Sequence, residues 1–190
     1  MIKAVVFDCF GVLVGQGYWT VYRKLGGDLE RDGAFLDSLL DKVNLGKITS
    51  DQLAMLVSGR LGISIDAYRA AMRADQQPNL EVFDYIRELK PRYKIGMLSN
   101  VTRASLEQKV PKELLDLFDV LVLSGEAGLL KPDPAIYRLA AERLGVKSEE
   151  IVFTDDHEEY VNGARAAGMH AILFRDLTDF KRQFMELTKT

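Results

Sequence analysis

Cysteine occurs once in the 190 residues. Cys9 alone excludes an internal disulfide and fits a reducing compartment. Long apolar runs are absent as well. None approaches the ~18–20 residues of a membrane span, and the first residues lack the charged, apolar and small-residue regions of a signal peptide. The expectation is therefore a cytoplasmic protein without a membrane partner. Charge of either sign is in short excess, with a net −3 and a pI near 5.5. That balance argues against nucleic acid as the main partner. No internal repeat or low-complexity tract is present. What remains is an ordinary chain, 47% hydrophobic, long enough for one domain or one domain with a small insertion.

Five short apolar runs read as strands: residues 2–7, 93–98, 120–123, 151–153 and 170–174. They are mostly continuous rather than alternating, as expected of a parallel sheet covered on both faces. Helical patterns lie between the later strands. Residues 79–90 place Leu80, Phe83, Ile86 and Leu89 on one face, and Pro91 ends the run. Residues 134–144 follow Asp133 as N-cap and Pro134 as first helical residue, and Gly145 stops them. Residues 158–167 end at Gly168. Alternating strand and helix predicts a doubly wound α/β core.

The first crossover breaks that rhythm, because about eighty residues separate the first two strands, far beyond an ordinary connection. Candidate helices cover 18–25, 33–44, 51–61 and 65–75, with Ser50 and Ser64 as N-caps and Gly26, Gly46 and Gly62 as stops. The expected division is a core of residues 1–14 and 79–190, and a helical cap of residues 15–78 over the sheet's carboxyl edge. Gly15, Gly17 and Gln76–Pro78 stand where hinges would be.

Chemistry collects at the strand tips. The first strand ends in Asp8, and a carboxylate is costly to bury unless it is paired or binds metal. The second ends in Ser99 and Asn100. A glycine-containing loop after the third leads to Lys131, and the fourth ends in Asp155 and Asp156. Taken singly, each has a plain reading: Asp8 as a cap, Ser99-Asn100 as a turn, Lys131 as a solvated lysine, Asp155-Asp156 as a helix N-terminal cluster. All of them in order at carboxyl ends, where open α/β sheets place ligands, point to a joint site. Clustered carboxylates repel, so a hard cation such as Mg²⁺ is their natural occupant. The ammonium and hydroxyl suit phosphoryl oxygens, and a carboxylate can act as nucleophile.

These segments together resemble the haloacid dehalogenase superfamily of hydrolases. The resemblance rests on Val6–Leu13, on Leu98-Ser99-Asn100, on Gly128–Tyr137 with its Lys131-Pro132-Asp133-Pro134, and on Val152–Asp156; Gly163–Met169 also fits. The double aspartate and Asn44–Thr49 resemble the bacterial sugar-phosphatase branch, which includes α-glucose-1-phosphatase. The phosphatase domain of soluble epoxide hydrolase is a more distant likeness. The resemblance implies a Rossmann-like core with a helical cap, and a Mg²⁺-dependent phosphatase of a small phosphate ester, monomeric or a small homo-oligomer. It implies Asp8 as nucleophile and metal ligand, and Ser99 and Asn100 as holders of the phosphoryl oxygens. Lys131 would offset the charge of the aspartyl-phosphate. Asp155, Asp156 and the Phe10 backbone carbonyl would hold the metal.

One position departs from the pattern. Most phosphatases of the family carry a second aspartate where Phe10 stands, a general acid–base worth ~10²–10⁴-fold. Some sugar phosphatases lack it too. Haloacid dehalogenases proper have an aromatic residue there, but need no Mg²⁺ and lack the paired aspartates. A dehalogenase using Asp8 on carbon, and a weakly active binder of phosphorylated ligands, are therefore the alternatives. His157 is either a substitute acid or a solvent-facing first-turn residue. Glu159 is an outer-shell ligand or solvated. Tyr18, Trp19 and Tyr22 line the substrate pocket or pack the cap, and Cys9 packs beside the turn.

Overall fold

The computed structural model describes residues 1–189. In chain order the chain forms β1 (Ala4–Phe7), α1 (Tyr18–Lys24), α2 (Leu29–Asn44), α3 (Ser50–Leu61), α4 (Ile65–Asp75) and α5 (Leu80–Leu89). Then come β2 (Lys94–Ser99), α6 (Arg103–Glu107), α7 (Lys112–Leu115), β3 (Val120–Leu123), α8 (Ser124–Ala127) and α9 (Pro134–Leu144). Last are β4 (Ile151–Asp155), α10 (Glu158–Ala166), β5 (His170–Leu173) and α11 (Leu177–Thr188). The strands make one parallel sheet in the order β3-β2-β1-β4-β5. This is the expected doubly wound α/β core, and it is Rossmann-like.

Both faces of the sheet are covered, which is why its strands lack polar alternation. The period of two survives in which core each residue joins. Val5, Phe7, Ile95, Met97 and Val152 pack on the side of Phe83, Ile86, Phe180 and Phe184. Ala4, Val6, Leu98, Ile151 and Phe153 pack on the other, against Ile136, Tyr137, Ala140 and Ala164. Gly96 fits closely between the layers, since a Cβ there would lie 3.1 Å from Val6 and 3.2 Å from Leu144 and would push those side chains aside.

Helices α1–α4 bury a cluster of their own, including Val21, Tyr22, Leu39, Leu53, Val57 and Tyr68. Asp32 is buried within this group and accepts hydrogen bonds from Arg31, Arg60 and the Tyr22 hydroxyl. Those donors, Arg31 first, hold its carboxyl well below the usual range. The two connections to the core are tied together. Val14 pairs with Pro78, Asn79 N–H donates to the Leu13 carbonyl (2.8 Å), and Gly17 N–H donates to Asp75 Oδ2 (2.9 Å).

Several boundaries differ from expectation. The first strand begins at Ala4 rather than residue 2. The second helix begins at Leu29, four residues early, because Asp28 caps it by accepting from Glu30 N and Arg31 N. Thr49, not Ser50, caps α3, in a capping box with Gln52; Ser64 caps α4 as expected. Helices α6, α7, α8 and α11 were not expected. The last lays Phe180 on the sheet, its ring 5.7 Å from that of Phe7. Among the described residues no helix is long and apolar enough to cross a membrane.

Candidate active site

The central strand sets the site. Phe7 lies opposite Met97 on β2 and Thr154 on β4, so the next residues of all three strands emerge side by side. Asp8 N–H donates to the Thr154 carbonyl (2.9 Å), which fixes the carboxylate at the sheet's edge. The chain then turns at Gly11, whose φ is 79°. A Cβ at Gly11 would lie 2.1 Å from Asp156 Oδ2. Only glycine lets the turn pass so close to that carboxylate.

Lys131 joins the tips. Its Nζ donates to Asp8 Oδ1 (2.7 Å) and to Asp155 Oδ2 (2.5 Å). Exposure is 3% for Lys131, 5% for Asp8 and 0% for Asp155, so this is a buried charge network. Asn100 positions the lysine's backbone: Lys131 N–H donates to Asn100 Oδ1 (2.8 Å), and Asn100 Nδ2 donates to the Lys131 carbonyl (3.1 Å). The other oxygen of Asp155 accepts from His157 N–H (2.9 Å). Two buried atoms at this site have no partner among the described residues, Ser99 Oγ and Asp156 Oδ1. The residues singled out in the sequence are thus brought to one place. His157 begins α10 as its N-terminal flanking residue, is exposed, and packs its ring near Tyr160 (5.2 Å).

Electrostatics mark the site as short of positive charge. Burial works against the Lys131 ammonium, but Asp155 and Asp8 outweigh it and raise its pKa. Asp155 is pushed up to about 7, chiefly by burial and then by Asp8, with Lys131 opposing. Asp156 is pushed up to about 6 by burial and Asp8. Asp8, Asp155 and Asp156 each offer an oxygen, all within 4.8 Å of one another. Three carboxylates against one ammonium leave excess negative charge, and Asp156 Oδ1 is an unused ligand atom. The all-oxygen donor set fits a hard divalent cation.

A pH prediction follows. Folded-state pKa values raised above the ordinary carboxylate range mean that ionisation destabilises the empty site as pH rises from about 4 to 7. A divalent cation requires the ionised form, so its affinity grows over the same window. The rise in melting temperature caused by Mg²⁺ is expected to be small at pH 5 and to widen toward pH 8. Asp156→Asn should flatten that dependence. Calorimetric scans at both pH values check it, and an equal shift at both counts against the acidic site.

A pocket of about 100 Å³ opens onto Asp8, Ser99, Asn100 and Lys131. Phe10, Tyr18 and Trp19 form part of its wall, and Asp37 and Asp41 of α2 also line it. Tyr22 does not; its hydroxyl donates to Asp32 instead. Tyr160 is a further wall residue, its ring 4.8 Å from Lys131 Nζ. The sequence reading missed Tyr160, Asp37 and Asp41. On α2 the two carboxylates lie on the polar face of an amphipathic helix, which looks the same whether it meets solvent or a pocket. Cys9 is fully buried in the core, and burial pushes its thiol pKa up, so it is inert.

A sequence profile of the haloacid dehalogenase-like hydrolases matches residues 2–168. The chain belongs to the haloacid dehalogenase-like hydrolases. Among relatives of this hydrolase, a phosphatase from Mycobacterium tuberculosis, MT3486, is 34% identical over 207 aligned positions, covering 90% of this chain and 87% of that protein. An (S)-2-haloacid dehalogenase from Pseudomonas putida is 30% identical over 175 positions, covering 82% and 77%. The fold also matches the family enzyme BT-2542 from Bacteroides thetaiotaomicron, solved with magnesium and inorganic phosphate. That match has a TM-score of 0.73 at 22% identity and covers 95% of this chain and 99% of that one. Phosphatases and dehalogenases both stand among the similar proteins, so the family leaves the choice of reaction to the site.

Proposed function

We propose that this hydrolase is a Mg²⁺-dependent phosphatase acting on a small phosphorylated metabolite, such as a sugar phosphate, through an aspartyl-phosphate on Asp8. The observation that carries the reading is the unpartnered, buried Asp156 Oδ1 beside Asp8 and Asp155. A reaction needing no cation has no use for that excess of negative charge. Asp8, Asp155, Asp156 and the Phe10 carbonyl would hold Mg²⁺. When bound, the ion supplies charge neutralisation for an incoming dianionic phosphoryl group. The magnesium and phosphate in BT-2542 support this by fold likeness.

The chain's own groups supply the rest. Lys131 holds Asp8 Oδ1, which orients the carboxylate. An oxygen of Asp8 attacks phosphorus, the bond from phosphorus to the leaving oxygen breaks, and that oxygen departs with the electron pair. Water then attacks phosphorus, the bond from phosphorus to the Asp8 oxygen breaks, and inorganic phosphate leaves with Asp8 restored as a carboxylate; one proton of the water passes through solvent to the departed oxygen. Ser99 Oγ, free of any internal partner, is available to donate to a phosphoryl oxygen, and Asn100 keeps Lys131 in register. Helices α1–α4 act as a cap, with Gly15, Gly17 and Gln76–Pro78 as the joint to the core.

Hydrolysis at the carbon of a 2-haloacid is the second reading, favoured by Phe10 and by the dehalogenase relatives. The pocket's charge opposes it. Such a substrate brings a carboxylate, yet Lys131, the only lysine or arginine lining the pocket among the described residues, is already held by two carboxylates. Asp37 and Asp41 on the cap side add like charge. Partial burial, then Asp41 and Glu159, already push the Asp37 pKa up. These acids suit a leaving group that is polyhydroxylated or cationic. A phosphatase screen over metabolites with and without Mg²⁺, run beside a halide-release assay, separates the two readings. Metal-independent halide release without phosphatase activity would overturn the proposal.

Phe10 gives the reading a sharper test. It packs near Tyr18 (ring centroids 6.3 Å apart) and offers no proton to the leaving oxygen. A missing general acid costs ~10²–10⁴-fold, about 3–5 kcal/mol of barrier. Alkyl phosphates should be hydrolysed slowly, whereas aryl, acyl and anomeric sugar phosphates should suffer least. A plot of log rate against leaving-group pKa is expected to fall steeply, and Phe10→Asp to flatten it. A flat plot for the unaltered enzyme would mean either that another group supplies the proton, His157 first, or that dephosphorylation of Asp8 limits the rate.

A further inference from the structure

The catalytic pocket has a larger neighbour on the helical segment. A second cavity of about 510 Å³ lies between α3 and α4 on one side and the core loop after α6 on the other. Tyr18, Tyr68 and Met72 form an apolar, aromatic part of its wall, and polar side chains such as Gln76 and Gln108 form the rest. Its charges are mainly positive. Arg69 is paired with Asp51 (2.6 Å), but Arg73 and Lys109 have no carboxylate partner among the described residues. Lys109 is half-buried, and its Nζ donates only to the Ser105 carbonyl (3.2 Å) and hydroxyl (2.8 Å). Gln76 also lines the cavity, and its buried Nε2 has no partner.

A half-buried ammonium held only by a carbonyl and a hydroxyl has lost part of its hydration without gaining a counter-charge, which is unfavourable. Burial accordingly lowers the Lys109 pKa. The buried Gln76 amide donor, also unused, adds to the mismatch, and the exposed Arg73 at the cavity's rim brings a second positive charge. All three groups are donors, and Tyr18, Tyr68 and Met72 give the same cavity apolar wall. We propose that this cavity binds a small organic oxyanion, an aromatic or branched aliphatic body with a carboxylate or phosphonate-like head, with the head held by Lys109 and Arg73.

The two cavities share a wall. Tyr18 lines both, and Lys109 Nζ stands 5.9 Å from the ring centroid of Phe10, the residue beside the nucleophile's turn. The second cavity also spans the Gln76–Pro78 connection between α4 and α5. A ligand there touches both the helical segment and the core, so it holds them in one relation and presses on the catalytic pocket through Tyr18.

The binding test is independent of turnover and so of the phosphatase reading. The probe is 8-anilinonaphthalene-1-sulfonate, an anion on an aromatic body, titrated into the full chain and followed by its fluorescence. Saturable binding at one site is expected. Arg73→Gln, on the exposed side of α4, should weaken it at least fivefold without changing the melting temperature, and Lys109→Gln should weaken it likewise. Ser99→Ala, which alters only the catalytic pocket, should leave the affinity unchanged. Benzoate and phenylphosphonate compete as the two candidate heads, and whichever displaces the probe identifies the anion class. No saturable binding, equal affinity in Arg73→Gln, loss in Ser99→Ala, or displacement by neither competitor would overturn the site.

Discussion

Replacing Asp8 by Asn is expected to lower hydrolysis of p-nitrophenyl phosphate by at least ~10⁴-fold while leaving the protein folded. Loss of a nucleophile in a covalent mechanism removes the step itself, and such losses reach ~10⁶-fold in a well-studied hydrolase. The fold should survive because an asparagine Oδ1 still accepts the hydrogen bond that Lys131 now donates to Asp8 Oδ1. A second readout needs no turnover. Beryllium fluoride with Mg²⁺ mimics a phosphoryl group on a carboxylate, so it should raise the melting temperature of the native chain by mass action. The rise should vanish in Asp8→Asn. An active Asp8→Asn enzyme would reject the covalent reading, and a native chain indifferent to beryllium fluoride would favour the dehalogenase or the weakly active binder.

The second large effect belongs to Lys131, which is structural and chemical at once. Lys131→Met keeps the length of the side chain and removes the only ammonium between Asp8 and Asp155. Breaking a buried ion pair by deleting one partner costs ~3–5 kcal/mol, because the other charge stays buried. For a chain of this size each kcal/mol moves the melting temperature by ~2–4 °C, so a fall of roughly 6–20 °C is expected. Mg²⁺ should restore part of that loss, since a cation beside the carboxylates offsets their repulsion. Activity should not return, since nothing then offsets charge on the aspartyl-phosphate. Recovery of both stability and turnover with Mg²⁺ would reduce Lys131 to a structural counter-ion. Unchanged stability without metal would contradict the buried network.

Much of this site is legible without coordinates. Continuous apolar runs such as 2–7 and 151–153 have few alternatives to buried parallel strands, and parallel strands point their carboxyl ends the same way. Placing Asp8, Ser99, Asn100, Lys131, Asp155 and Asp156 together therefore needs only strand order in the chain and the rule that crossovers carry helices. Helix ends are less legible. Asp28 and Thr49 were passed over because caps compete locally, and neighbouring residues such as Ser50 offer the same side-chain chemistry. Helix α11 was missed although Asp176, Phe180 and Phe184 follow the spacing of a capped amphipathic helix.

The sequence by itself determined the doubly wound sheet, the acidic strand tips, and the departure at Phe10. Each depends on covalent order and local hydrophobic period, which no packing can change. Tertiary structure alone decided what faces those tips. Whether Asp37 and Asp41 meet solvent or the pocket depends on how α2 lies across the sheet's edge, and an amphipathic pattern fixes a helix's buried face but not its neighbour on the other. The same holds for Lys109 and Arg73. They are 36 residues apart in the chain and look like ordinary surface cations. Packing of α4 against the loop after α6 puts both on one cavity, with no carboxylate partner for either among the described residues.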